Sequence, residues 1–150
     1  MSDVSASFEI SWPYWTSNDE MQGKVDIESV ADDFGNFVGK RVNWSSSYHR
    51  GRREPNAYVV EPDGSLDPDS SEDMGLEFVS PPMPIDEMID QLNEVQKWAK
   101  GYGCYTNDST GLHINISVPG FSRDKLDFVK LALLLGDKYV LEQFGRSSNT

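Results

Sequence analysis

Glu9 lies between Phe8 and Ile10, Glu77 lies between Leu76 and Phe78, and His113 and Asn115 alternate with Leu112, Ile114 and Ile116. In an extended chain such alternation sends the polar residues to one face and the apolar ones to the other. Asp63 stands in an Asp-Gly-Ser turn directly after another β-rich stretch. If these segments share a sheet and their polar faces coincide, two carboxylates and an imidazole converge on one surface. Oxygen-rich sites of that kind suit Mg²⁺, which commonly bridges to a phosphate group. Taken singly, each residue also has an ordinary reading. The glutamates read as a solvated strand face, His113 as a hydrogen-bonded structural histidine, Asp63 as a turn former and Arg146 as a surface charge.

Other chemistry-bearing residues read more plainly. The run His49-Arg50-Gly51-Arg52-Arg53 is local positive charge in an acidic chain. It reads first as a solvated loop and second as a phosphate-contacting one. Cys104 is the one cysteine, which excludes an internal disulfide; with no base beside it in sequence, it reads as an inert small residue. Trp12-Pro13-Tyr14-Trp15 reads as core packing or a sheet edge before it reads as a pocket lining. There is no Walker-type glycine loop, no Gly-x-Ser-x-Gly elbow and no zinc-spaced Cys/His cluster.

The elements that must position these residues follow from periodicity. Ser5–Trp12 alternates as a strand that Pro13 ends, and Val25–Gly39 has helical spacing with Gly39 as its stop. Val42–Tyr48 and Ala57–Glu61 are β-rich and predict a hairpin closed by a long loop, and Leu66–Asp73 predicts a loose acidic loop. A strand over 75–80 is closed by Pro81 and Pro82. Pro84 then opens a helix whose apolar face is Ile85, Met88, Ile89, Leu92, Val95 and Ala99, with Gly101 as its stop. A strand over 111–118 follows, then a last helix from Ser122 onward. The order β, α, β, β, β, α, β, α predicts an α+β fold, an antiparallel sheet with helices on one face.

Composition bounds the function. The 150 residues are 37% hydrophobic and 25% charged, which is the balance of one globular domain. Acidic residues outnumber basic ones 25 to 13, and the net charge of −12 argues against a nucleic-acid or anionic-membrane binder. Nucleic-acid contact through Arg50, Arg52 and Arg53 is a minor reading. No apolar run approaches the ~18 residues of a membrane-spanning helix, and the N-terminus has neither the basic start nor the apolar stretch of a signal peptide. A soluble protein of the cytoplasm is expected.

Three segments, read in order, carry a resemblance: Val60-Glu61-Pro62-Asp63-Gly64-Ser65-Leu66, then Gly75-Leu76-Glu77-Phe78-Val79-Ser80-Pro81-Pro82, and, after a helix, Ser109-Thr110-Gly111-Leu112-His113-Ile114-Asn115-Ile116. The chain resembles the amidoligase family, carboxylate–amine ligases of the glutamine synthetase-like superfamily frequent in phages and bacteria. Phe8-Glu9-Ile10 resembles that family's first strand, and Gly145-Arg146 with Asn149 its later arginine. The resemblance implies a curved antiparallel sheet and an ATP-dependent reaction through an acyl phosphate, with Mg²⁺ as cofactor. It implies Glu9, Glu77 and His113 as metal ligands, and Glu77, His113 and Arg146 as catalytic residues. Asp63, Ser65, Asn115 and Arg146 would line the nucleotide site. Substrates would be a carboxylate and an amine; partners would be a glutamine amidotransferase-like protein or a second copy.

This sequence departs from the family pattern in three places. Ser11 stands where the family has a second glutamate, and Asn115 where it has a second histidine. Asparagine keeps a carbonyl oxygen and an amide donor but has no imidazole nitrogen. The chain also ends shortly after Arg146, so a C-terminally truncated, incomplete domain is expected. The alternative is a non-catalytic phage structural or interaction module that retains the scaffold.

Overall fold

A computed structural model of the chain describes residues 3–12, 27–71 and 73–117, together with positions 120, 122, 124, 127, 129, 130 and 142. The helix expected beyond Ser122 falls largely outside them, as do Pro13 and Arg146. The chain divides into two compact units, Met1–Ser117 and Val118–Thr150, and every element below belongs to the first. In order these are β1 (Asp3–Trp12), α1 (Ile27–Val38), β2 (Arg41–Trp44), β3 (Ala57–Pro62), β4 (Met74–Val79), β5 (Met83–Pro84), α2 (Ile85–Gly101) and β6 (Leu112–Ser117).

The six strands form one open sheet in the order β2-β3-β4-β1, with β5 and β6 also paired to β1. Alternation sorts its faces as expected. Val4, Ala6, Phe8, Ile10 and Trp12 of β1 pack with Tyr58 and Val60 of β3 and with Leu76 and Phe78 of β4 in one core. Both helices cover that face: α1 contributes Ile27, Val30, Ala31, Phe34 and Val38, spaced at helical intervals. Phe34 is the hub, fully buried, with edge-to-face contacts to Phe78 and Trp98 at 4.9 Å and to Tyr58 at 5.1 Å. Such pairs add about 0.5–1.5 kcal/mol each beyond area burial. Trp12 joins the same cluster, which bears out its core reading.

Four expectations need correction. Strands β2 and β3 are parallel, with Arg41 beside Ala57 and Trp44 beside Val60, so they are no hairpin and the sheet is mixed. Residues 45–56 form the crossover that parallel strands require. The sheet is open where a curved one was expected. The α2 face is centred on Met88, Val95 and Trp98, while Ile85 and Ile89 are each 54% exposed. That helix runs to Gly101, and the left-handed residue beyond it is Gly103 (φ 70°), as Gly39 (φ 66°) is for α1. Finally, residues 66–69 are not loose. Leu66 is buried, Ser109 Oγ accepts from Asp67 N–H at 2.9 Å, and Tyr105 Oη accepts from Asp69 N–H at 2.9 Å.

The Ser-Pro-Pro segment has a physical role in the sheet. From Ser7↔Val79 to Val4↔Met83 the chain advances three residues on β1 and four on its partner, which is a bulge of one residue. The two prolines cannot donate to the ladder. Ser80 restores the pairing: its N–H donates to Ala6 O at 2.8 Å, and its hydroxyl accepts from Ala6 N–H at 2.9 Å.

Candidate functional site

The polar face of the sheet carries the candidate site. Cross-strand register sets Glu77 directly opposite Glu9 on one side and Glu61 on the other. Three neighbouring strands thus present three carboxylates in a row on the face away from the aromatic core. Strand β6 pairs Ser7 with His113 and Ser5 with Asn115, so both residues share this face. Asp63, two residues beyond Glu61, extends the acidic row past the end of β3.

Each carboxylate has its own surroundings. Glu9 Oε2 accepts the Gly111 N–H at 2.6 Å, and Glu9 Oε1 lies 3.4 Å from His113 Nε2. Glu61 is fully buried; it accepts from Gly51 N–H at 3.1 Å and from Arg53 Nη2 at 2.7 Å, and His49 Nδ1 lies 3.8 Å away. Glu77 is 8% exposed, and its Oε2 is buried without a hydrogen-bond partner among the described residues. Asp63 is 4% exposed; Ser65 donates its N–H and hydroxyl to Oδ1 at 2.8 and 2.7 Å, while Oδ2 is buried and unpartnered among the described residues.

The crossover between β2 and β3 runs over this face. Gly51 is required there, because a Cβ would fall 2.1 Å from Val59 Cγ1. His49 is the one non-glycine residue with positive φ (55°) among the described residues, and its ring stacks on Tyr48 with centroids 3.7 Å apart. Burial, followed by the fields of Asp63, Glu77, Glu9 and Glu61, pushes the Tyr48 phenol above its ordinary range. One ligand atom from each of His49, Glu61 and Glu77 lies within 4.8 Å of the others.

This donor set fits a hard divalent cation. A buried carboxylate oxygen with no donor is costly, on the order of 1–3 kcal/mol or more. Both Glu77 and Asp63 carry one. A cation bound between Glu77 and Glu61 would satisfy the Glu77 oxygen, and imidazole from His49 is an acceptable further ligand.

The structure brings some of the residues singled out in the sequence together. Glu9, Glu77, His113 and Asn115 share the polar face, and His113 touches Glu9. The ligand set nearest Glu77 is Glu61 and His49, however, neither of which the sequence reading singled out. The Ser65 hydroxyl is engaged in holding Asp63. Arg146 lies outside the described residues. The basic run is solvated, as it first reads, with His49, Arg50, Arg52 and Arg53 all exposed, and Gly51 and Arg53 also tie it onto the acidic face.

Fold and site together define an α+β protein whose open sheet buries one face under two helices and lines the other with carboxylates. The chain belongs to an amidoligase family: the family model described as "Putative amidoligase enzyme" matches residues 16–143. The matched span includes Glu61, Asp63, Glu77 and His113, and begins after Glu9. No curated protein and no solved structure matched the chain. No helix among the described residues is long and apolar enough to cross a membrane.

Proposed function

We propose that the polar face is the site of an ATP-dependent carboxylate–amine ligase. The observation that carries this reading is Glu77, buried in register between Glu9 and Glu61 with one oxygen lacking a donor among the described residues. Bare carboxylate and amine do not condense readily at neutral pH, because the carboxylate oxygen is a poor leaving group. Transfer of the γ-phosphoryl group to the substrate carboxylate, releasing ADP, makes that oxygen a good one. The amine then attacks the acyl carbon, loses a proton and expels phosphate.

Glu77, Glu61 and His49 would hold Mg²⁺, with Glu9 next along the row. A bound cation supplies charge neutralisation for the phosphate oxygens. The chain's own residues do the rest. His113 and the Gly111 N–H fix the Glu9 carboxylate in place. Gly51 and Arg53 fix that of Glu61. The work asked of them is positioning and charge stabilisation.

The test is nucleotide-dependent stabilisation. MgATP at 100 times its Kd is expected to raise unfolding stability by about 2.7 kcal/mol. Glu77→Gln is expected to abolish that gain, together with phosphate release in the presence of acid and amine substrates, without lowering the stability of the free protein. A melting temperature unmoved by MgATP would sink the ligase reading. A second reading, a non-catalytic module on the same scaffold, is favoured by Ser11 and Asn115 standing where the family pattern has glutamate and histidine. Glu77-dependent phosphate release would exclude it.

A further inference from the structure

A cavity of about 310 Å³ lies on the polar face beside the carboxylate row. Its floor follows from the register. The next side chains along the strands from Glu61 and Glu77 on this face are Val59 and Val79, which pair with each other, and Ser7 pairs with Val79 from β1. One step further come Ala57 on β3 and Ser5 on β1, the latter paired with Asn115 of β6. Two residues of strand span about 7 Å. A molecule on this floor therefore lies within one or two such steps of Glu77, which itself lines the cavity.

Charge on the walls is uneven. Arg53 lines the cavity and, among the described residues, is bonded to Glu61 through Nη2 alone. A guanidinium has five N–H donors in a planar fork, so most of them remain for a ligand. Glu54, also at the wall, is already paired with Arg41 and Arg52 at 3.0 and 3.1 Å. The serine hydroxyls of Ser5 and Ser7 add donors on the far side. Between these polar groups lie small apolar surfaces from Val59, Val79 and Pro82. Small-molecule pockets run to roughly 300–1,000 Å³, so this one sits at the low end.

From this arrangement we infer that the cavity is the acid-substrate subsite and that it takes a small carboxylic acid of amino-acid size. Arg53 anchors the carboxylate beside Glu77, and the short body of the acid rests on Val59 and Val79. The inference rests on the ligase reading for the fate of that carboxylate, but not for its binding. Arg53 then has two roles: one N–H group neutralises the buried Glu61, and the others select carboxylate over neutral analogues.

The experiment is amide NMR on the whole chain, titrated with propionate, L-alanine and L-glutamate, with propionamide as the neutral control. The acids are expected to shift the Ser7, Gly51 and Val79 amides saturably, and propionamide is not. Arg53→Lys keeps the charge that Glu61 needs but loses the fork, and is expected to weaken binding tenfold or more. Ser5→Phe fills the cavity from β1 and is expected to abolish binding, which provides a second arm should Arg53→Lys fold poorly. Equal shifts with propionate and propionamide, no shifts with any acid, or unaltered binding in Ser5→Phe would each overturn the subsite. Acid binding in a wild-type protein that MgATP fails to stabilise would retain the subsite and refute the ligase. Stabilisation by MgATP without acid binding would do the reverse.

Discussion

At the scale of single residues, alternation in a strand was enough to read Glu9, Glu77, His113 and Asn115, because parity alone decides their face. The same parity holds for Glu61 in Val60-Glu61-Pro62, yet the adjoining Asp-Gly-Ser turn draws attention away from it. His49 and Arg53 carry no such signal, since their place depends on where a loop returns. Cys104 is partly buried against the core, and burial pushes its thiol from 9.0 up to about 12. At pH 8 its thiolate fraction falls about a thousandfold below that of an ordinary cysteine. Alkylation by iodoacetamide is expected to be slower by a similar factor in the folded protein and to recover in denaturant.

At the scale of elements, the parallel β2–β3 pair decides the site. A hairpin would have left residues 49–56 beyond the strand ends, whereas a crossover must traverse one face of the sheet. The helices occupy the other face, so the crossover lies on the acids. Periodicity cannot distinguish these two connections, because both join two β-rich runs with a polar stretch; strand direction comes from pairing alone. Gly51→Ala tests the crossover. Its Cβ would collide with Val59, so a loss of about 1–3 kcal/mol in urea unfolding is expected, the usual scale of overpacking. Faster proteolytic cleavage within 45–56 would mark the loosened segment. Unchanged stability would mean that the crossover does not rest on Val59.

On the scale of the whole molecule, the apolar periodicity located one core and its helices, and it missed Trp98 because Ile85 and Ile89 better fitted the expected stripe. Burial in that core also shapes the response to alkali. The Tyr58 hydroxyl is raised from 10.0 to about 12, chiefly by burial and then by Glu87, and the Cys104 thiol is raised by burial. Both ionise more readily unfolded than folded, so the unfolded state loses protons first as pH rises. Stability from these groups is intact below about pH 9 and falls between pH 9 and 12, on the order of a few kcal/mol in total. Denaturation curves across that range are expected to show the decline, and Tyr58→Phe to flatten it; a flat wild-type profile would contradict it.

The three glutamates face each other across a hydrogen-bonded ladder, and that has a consequence for how the protein can evolve and misfold. If β4 slid by a single position, Glu77 would be driven among the phenylalanines while Phe78 turned out to water. A mispaired chain cannot keep half of this arrangement; it forfeits the shelter of its interior and the carboxylate row in the same error, so selection for a sound hydrophobic interior also polices the acids.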